Sequence, residues 1–198
     1  GSGQGGTSGP LVALLADLTP ADQMGRASGT NNVLGDIGGG LGPLVSLRQK
    51  EIVDGFLAKG SDLQIVAQGQ IVDDAPAGGA YVAPTLFAGV PPGHTLAQDE
   101  IFGPVQVIIP FTDEAEAIAI ANGTDFGLVA SCWSENGARQ MRMARALRAG
   151  QVFINHYGAG GGVELPFGGT GLSGHGREKG FEALYGFSVL KPVAALHH

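Results

Sequence analysis

Apolar residues along this chain fall into short runs that alternate with segments of helical periodicity. Residues 11–15 have the sequence LVALL, which fits a buried strand, although the pattern also allows a helix. Later segments have the same strand-like pattern, at residues 63–67, 105–109, 128–133 and 151–155. Because strand-like and helical segments alternate, the pattern predicts an α/β fold with a largely parallel sheet.

Typical start and stop residues bound the helical segments between these strands. Ser46 is a common N-cap residue and Gly60 a common helix stop. Between them, apolar residues recur at helical spacing: Ile52, Val53, Phe56 and Leu57. Asp113 is placed to cap a second helix that runs to Asn122, and residues 135–147 have the strongest helical pattern.

The organisation of the chain follows from these segments. Residues 1–41 are rich in glycine and carry little amphipathic pattern, so we expect loop or partial disorder there. Residues 42–188 contain the alternating segments and are interpreted as one α/β domain, in which residues 177–185 are helical. Residues 189–198 are interpreted as a terminal strand that ends in a purification-tag remnant.

Composition narrows the range of functions. The chain has 198 residues and a formal net charge of -7, which disfavours a nucleic-acid partner because phosphate binding needs a basic face. No apolar run approaches the roughly 20 residues that span a bilayer, and no N-terminal signal pattern is visible. With one cysteine, an internal disulfide is impossible, and we expect a cytoplasmic location.

Glycine is abundant, at 35 of 198 residues, and it clusters in the segment 167–176. Glycine permits positive φ and close backbone approach, so this cluster predicts a shaped loop against a ligand or a neighbouring segment. An inert turn is the alternative. The cluster lacks the spacing and the strand–turn–helix context of a dinucleotide fingerprint.

A series of short motifs follows in a fixed order between residues 42 and 174: GPLV, YVAPTL, EIFGP, AN with FGL, GQVFIN, PFGG and SG. In this order they resemble the C-terminal, thiol-bearing domain of the NAD(P)-dependent aldehyde dehydrogenases. The resemblance extends over residues 42–196 and implies a three-layer αβα fold. It also implies the family reaction, the oxidation of a small aldehyde to a carboxylic acid with NAD or NADP.

The resemblance also implies roles for particular residues. Glu100 would bind the hydroxyls of the ribose on the nicotinamide side, because a carboxylate can accept two hydroxyl hydrogen bonds. Phe102 would flank the nicotinamide ring. Tyr157 and Phe167 would lie near the aldehyde entrance. The alternative is that Glu100 belongs to a surface turn and that the aromatic residues are core.

The N-terminus departs from the family. Residues 3–9, GQGGTSG, resemble the Gly-Gln-x-Cys nucleophile loop with Gly6 at the cysteine position, although a flexible glycine leader is the rival interpretation. The family mechanism requires thiolate attack on the aldehyde before hydride transfer. The family's general base, its oxyanion asparagine and its cofactor domain would precede residue 1. We therefore expect this chain alone to be inactive and not to bind NAD or NADP tightly.

Other candidates for chemistry are weaker. Cys132 lies inside an apolar run and is predicted to be a core residue. The histidines show no ligand spacing with cysteine or acidic residues, so no metal site is expected.

The terminal segment 189–196 resembles the family strand that pairs with a neighbouring subunit. Pro192 removes one backbone donor, which favours an edge position. We therefore expect a homo-oligomer formed through this segment, or an ordinary edge strand within the monomer. Two further hypotheses remain open: a non-catalytic assembly or binding module, and a fragment without biochemical role.

Overall fold

The computed structural model describes residues 12–15, 44, 46–156 and 162–197. In chain order its elements are β1 (Val12–Leu15), α1 (Leu47–Lys59), β2 (Gln64–Gln68), β3 (Thr85–Ala88), α2 (Thr95–Gln98), β4 (Val105–Ile108), α3 (Glu114–Ala121), β5 (Val129–Trp133), α4 (Gly137–Ala146), β6 (Gln151–Ile154) and α5 (Ala183–Gly186). For residues 12–15 of the first apolar run, the open choice is decided in favour of a strand. The predicted α/β class is confirmed.

Within the described residues, the strands are divided between two three-stranded sheets. In the first, β1, β5 and β6 are all parallel, with Val12 opposite Ala130 and Ala130 opposite Val152. In the second, β3 and β4 are parallel, while β2 pairs antiparallel with β3. The largely parallel pairing therefore agrees with the alternation of strands and helices in the sequence.

Helices α3 and α4 cover one face of the first sheet. Their small and flexible side chains pack with those of β5 in one core cluster: Ala117, Ala121, Ala130, Cys132, Met143 and Leu147. Cys132 is fully buried among these residues. The prediction that this cysteine belongs to the core is confirmed.

The second sheet is covered by α1 and α2. Phe87 of β3 is the largest of the fully buried side chains in the described part of the chain. It packs with Val53 of α1, Leu96 of α2 and Val105 of β4. This second core supports the loop between α2 and β4.

Side-chain caps start the longer helices. The Ser46 Oγ accepts a hydrogen bond from the Gln49 backbone N–H at 3.1 Å, and the Asp113 Oδ1 accepts one from Glu116 at 2.8 Å. Gly60 ends α1. All three boundaries agree with the sequence prediction, because a cap depends on residues only three positions apart.

The C-terminal segment differs from its prediction. The predicted helix at 177–185 does not form as such, and the helical part is α5. Glu178 instead forms an antiparallel bridge with Phe167, and Lys179 has a φ of 60°, which a right-handed helix does not allow. The long-range bridge therefore overrides the local helical pattern.

Within the described chain, residues 189–196 are not paired as the predicted terminal strand. A strand needs a neighbour that pairs with its backbone N–H and C=O groups, and the described part of the chain pairs no strand with this segment. Val189 and Leu190 are 92% and 98% exposed. No helix within the described ranges is long and apolar enough to span a bilayer.

Candidate functional site

The loop between α2 and β4 presents two of the predicted site residues, Glu100 and Phe102. Between them, Ile101 is buried in the core under α1. Asp99 ends α2, so the loop begins directly at Glu100. Because Ile101 anchors the loop, its two neighbours in sequence are held at the surface of the second core.

Glu100 has an electrostatic feature that a surface turn does not explain. Its Oε1 atom is buried and has no hydrogen-bond partner within the described residues. Burial raises the pKa of the Glu100 carboxyl above its usual value, because desolvation disfavours the charged form. A buried carboxylate oxygen without a donor is costly, so this atom is suited to a ligand that supplies hydroxyl donors.

Phe102 has an unusual backbone conformation. Its φ is 53°, in the left-handed region that residues with a side chain rarely adopt. The side chain is 47% exposed, so it is not the core residue of the alternative interpretation. An exposed aromatic side chain on a constrained backbone can present its face to a flat ring.

Helix α1 supports this loop from below. The Gln49 Nε2 donates hydrogen bonds to the carbonyl oxygens of Ile101 and Phe102, at 3.1 and 3.2 Å. Gly103 lies against fully buried Val53: a Cβ at this position would be 2.5 Å from the Val53 Cγ2. Gln49 is not among the predicted site residues, and its signal in the sequence is the S-x-x-Q pattern of a helix start.

Phe167 is held on a second loop, after β6. Its backbone N–H and C=O each form a hydrogen bond of 2.6 Å with Glu178. Its ring packs beside Leu128, Val129 and Phe153, and the Lys179 ammonium lies 5.4 Å from the ring centroid. Phe167 is therefore fixed by backbone pairing and by a cation–π contact.

The glycine-rich loop lies very close to the turn before β6. A Cβ on Gly150 would be 1.6 Å from the Gly168 carbonyl oxygen, so only glycine fits there. The sequence-based expectation of a shaped loop against a neighbouring segment agrees with this close backbone approach.

The predicted site residues belong to two parts of the structure. Glu100 and Phe102 share the loop on the second core, whereas Phe167 packs on the first sheet. Gly6 and Tyr157 lie outside the described residues, so their predicted roles stay predictions.

Comparison with known proteins agrees with the motifs. The model of the aldehyde dehydrogenase family matches residues 34–193. The chain has an α/β domain, its motifs occur in the order of this family, and the family match spans most of its length. Together these observations define the class of protein. The chain belongs to the aldehyde dehydrogenase family.

Individual relatives agree. The chain is 43% identical over 155 residues to betaine aldehyde dehydrogenase 1 of Rhizobium meliloti (strain 1021), over 77% of this chain and 32% of that protein. It is similar to the crystal structure of a putative aldehyde dehydrogenase from Burkholderia cenocepacia. That match has 62% identity and a TM-score of 0.73, and it covers 75% of this chain and 32% of that one.

An NAD+-bound relative is also similar. The crystal structure of a Mycobacterium tuberculosis aldehyde dehydrogenase complexed with NAD+ is 36% identical, with a TM-score of 0.72, over 89% of this chain and 38% of that one. The chain spans about a third of the length of the curated relatives it matches. These structures confirm the predicted fold class.

Proposed function

We propose that this chain is the C-terminal catalytic-domain portion of an NAD(P)-dependent aldehyde dehydrogenase. Its part in the family reaction would be to contact the nicotinamide half of the cofactor and to form part of the aldehyde entrance. The observation that carries the proposal is the buried Glu100 Oε1 without a donor, two residues from the left-handed, exposed Phe102.

The two residues fit the nicotinamide half of NAD(P) in their chemistry. The Glu100 carboxylate can accept hydrogen bonds from two ribose hydroxyls, which would satisfy its buried oxygen. The Phe102 ring, exposed on one side of the loop, would limit where the nicotinamide ring can lie. When bound, the nicotinamide supplies the hydride acceptor. The NAD+ complex of the Mycobacterium tuberculosis relative supports this choice of cofactor.

Phe167 would form part of the aldehyde entrance. Its ring is partly exposed, while its backbone is paired on both sides with Glu178. A rigid aromatic side chain of this kind excludes water and guides an apolar substrate. Tyr157 would lie beside it, as the resemblance implies.

We infer that the 198-residue chain alone does not oxidise aldehydes. Gly6 has no atom that can bond covalently to a carbonyl carbon, and Cys132 is fully buried beneath α3 and α4. We also infer a cytoplasmic location. With a single cysteine the chain forms no internal disulfide, so its folding needs no oxidising compartment.

The inference that the chain is inactive can be tested with an activity assay. The purified chain, incubated with NAD or NADP and a panel of aldehydes, is expected to form no reduced nicotinamide above the blank, as followed by absorbance. The matched variant is Cys132→Ser. Reduced nicotinamide that forms with the wild-type chain and disappears in this variant would overturn the inference that the chain is inactive, because it would identify Cys132 as a substitute nucleophile.

A second candidate function is assembly without catalysis. The C-terminal segment exposes large apolar side chains that no described residue covers: Phe187, Val189, Leu190, Val193 and Leu196, each at least 82% exposed. A contiguous apolar segment of this kind is typical of an interaction site. We propose that a second copy of this chain covers residues 189–196 by strand pairing, which would also supply the missing backbone partners.

Removal of residues 189–198 is expected to lower the oligomer mass, because it deletes the segment that would pair between copies. The measurement is light scattering coupled to size exclusion, with the wild-type chain at the same concentration. A second variant, Leu190→Asp with Val193→Asp in the full-length chain, tests the same contact. It keeps the backbone of the segment but opposes burial of its side chains. An unchanged mass in both would exclude this segment as the contact.

A further inference from the structure

Two consecutive carbonyl groups in the loop between α2 and β4 (residues 100–104), which we call the cofactor loop because of its proposed function, accept hydrogen bonds from a single side chain. The Gln49 Nε2 lies 3.1 Å from the Ile101 oxygen and 3.2 Å from the Phe102 oxygen. These carbonyls flank the Phe102 Cα on its N-terminal and C-terminal sides. The direction of one carbonyl relative to the other is therefore set by the φ and ψ angles of Phe102 alone.

This arrangement selects a backbone conformation. In an extended chain, successive carbonyls point to opposite sides, so one amide group cannot bond both of them. In a helical conformation they point the same way. Phe102 meets this requirement with a φ of 53°, in the left-handed form. That form is disfavoured by about tenfold for a residue with a side chain, so some contact must stabilise it.

The position of Gln49 in α1 makes this contact rigid. Its backbone N–H is already bonded to the Ser46 Oγ at 3.1 Å, at the capped start of the helix. The S-x-x-Q pattern would, by itself, predict that the Gln49 side chain serves the helix cap. In the structure, its amide Nε2 instead donates to the carbonyl oxygen of Ile101, which lies 52 positions later in the sequence, in the cofactor loop.

A second contact from α1 restricts the same loop. Gly103 lies against Val53, one helical turn after Gln49, and a Cβ at Gly103 would be 2.5 Å from the Val53 Cγ2. The loop therefore has no room to slide toward α1, and the Gln49 hydrogen bonds stop it from moving away.

We propose that Gln49 is the positioning residue for Phe102: its amide holds the Phe102 backbone in the left-handed form and so sets the direction of the exposed ring. The part that concerns the nicotinamide rests on the proposed function. The part that concerns the Phe102 backbone stands on the described contacts. The chemistry requires a hydrogen-bond donor at position 49, since the two acceptors are both carbonyl oxygens.

Two variants separate this role from that of the helix cap. Gln49→Met has a similar length and no donor. Gln49→Glu keeps an acceptor for the cap and places a favourable negative charge in the first helical turn, but it cannot donate to the two carbonyls. The matched control is Gln140→Met in α4, where the Gln140 Nε2 donates to the Ser134 carbonyl at 2.7 Å, away from the cofactor loop.

The experiment uses NMR on the full chain. The ¹³Cα and ¹³Cβ shifts and the amide coupling of Phe102 report its backbone conformation, and a titration with NAD reports binding. Both Gln49 variants are expected to move Phe102 out of the left-handed region and to weaken NAD binding by about tenfold, the effect of one to two lost hydrogen bonds. The control variant is expected to change neither.

The outcomes are distinguishable. If the wild-type chain binds no NAD but the Gln49 variants release Phe102, the cofactor assignment fails and the positioning role stands. If NAD binds and the variants leave Phe102 left-handed, the positioning role is overturned. Should a variant fail to fold, amide exchange of the Gln49 side chain in the wild-type chain decides: slowed exchange supports the two hydrogen bonds, and exchange at the rate of a solvated amide overturns them.

Discussion

Replacing Gly150 with alanine is expected to lower the free energy of unfolding by about 3 kcal/mol, the upper end of what overpacking costs. The new Cβ would lie 1.6 Å from the Gly168 carbonyl oxygen and 2.7 Å from the Gly168 carbonyl carbon. Both are backbone atoms, so no side chain can rotate to make room. One of the two segments must move.

Neither segment moves without the loss of other bonds. The Gly150 N–H donates to the Gly127 carbonyl at 3.0 Å, directly before the pairing of Gln151 with Val129. On the other side, Phe167 is paired twice with Glu178. We expect the glycine-rich loop to give way, because a loop is less constrained than the paired strands β5 and β6. The Phe167 ring would then be displaced together with it.

Chemical denaturation measures the loss of stability, and NMR of the Phe167 and Glu178 amides measures the displacement. The control is Gly55→Ala in α1, where a Cβ would have no atom within 4 Å. That variant is expected to be stabilised by about 0.5–1 kcal/mol, because alanine has the higher helix propensity. A Gly150→Ala chain as stable as wild type, with the Phe167–Glu178 pair intact, would contradict the predicted close approach.

Replacing Glu100 with glutamine is expected to stabilise the chain and to weaken NAD binding by at least about tenfold. Burial raises the pKa of the Glu100 carboxyl, so its ionised form costs stability at neutral pH. Glutamine removes that charge. The same change removes the charge-assisted acceptor that we propose for the ribose hydroxyls.

The pH dependence gives this prediction a second check. A raised pKa in the folded chain means that the penalty is present above that pKa and fades as the pH falls through it. The stability difference between Glu100→Gln and wild type should therefore be largest at neutral pH and vanish in acid. Glu51→Gln, on the exposed side of α1, is the matched control and should change neither stability nor NAD binding.

Denaturation curves at several pH values and an NAD titration followed by NMR provide both measurements. A destabilised Glu100→Gln chain would show that the Glu100 carboxylate has a stabilising partner, which contradicts its buried, unpartnered oxygen. Unchanged NAD binding would remove Glu100 from the proposed cofactor contact.

Local features of this protein could be predicted from the sequence because their causes are local. The caps at Ser46 and Asp113 and the stop at Gly60 depend on residues within one helical turn, and the structure confirms them. The burial of Cys132 follows from the apolar run around it. The motif around Glu100 and Phe102 identified the candidate cofactor loop by resemblance.

Only part of the candidate site could be predicted from the sequence. The resemblance names Glu100, but only the packing shows that its Oε1 is buried without a partner. The contact of Gln49 could not be predicted from the sequence, because its two acceptors are 52 and 53 positions away in the chain. No periodicity or spacing encodes a contact of that length.

By itself the sequence determined the α/β class, the capped helices, the buried runs and the family, since each depends on neighbouring residues or on an ordered set of motifs. Tertiary structure alone decided how the strands divide into two sheets and why residues 177–185 are not a continuous helix. It also placed Gly150 against Gly168 and Gln49 against the loop between α2 and β4. The physical reason is common to these cases: pairing and close packing between distant segments outweigh local conformational preferences of about 1 kcal/mol or less per residue.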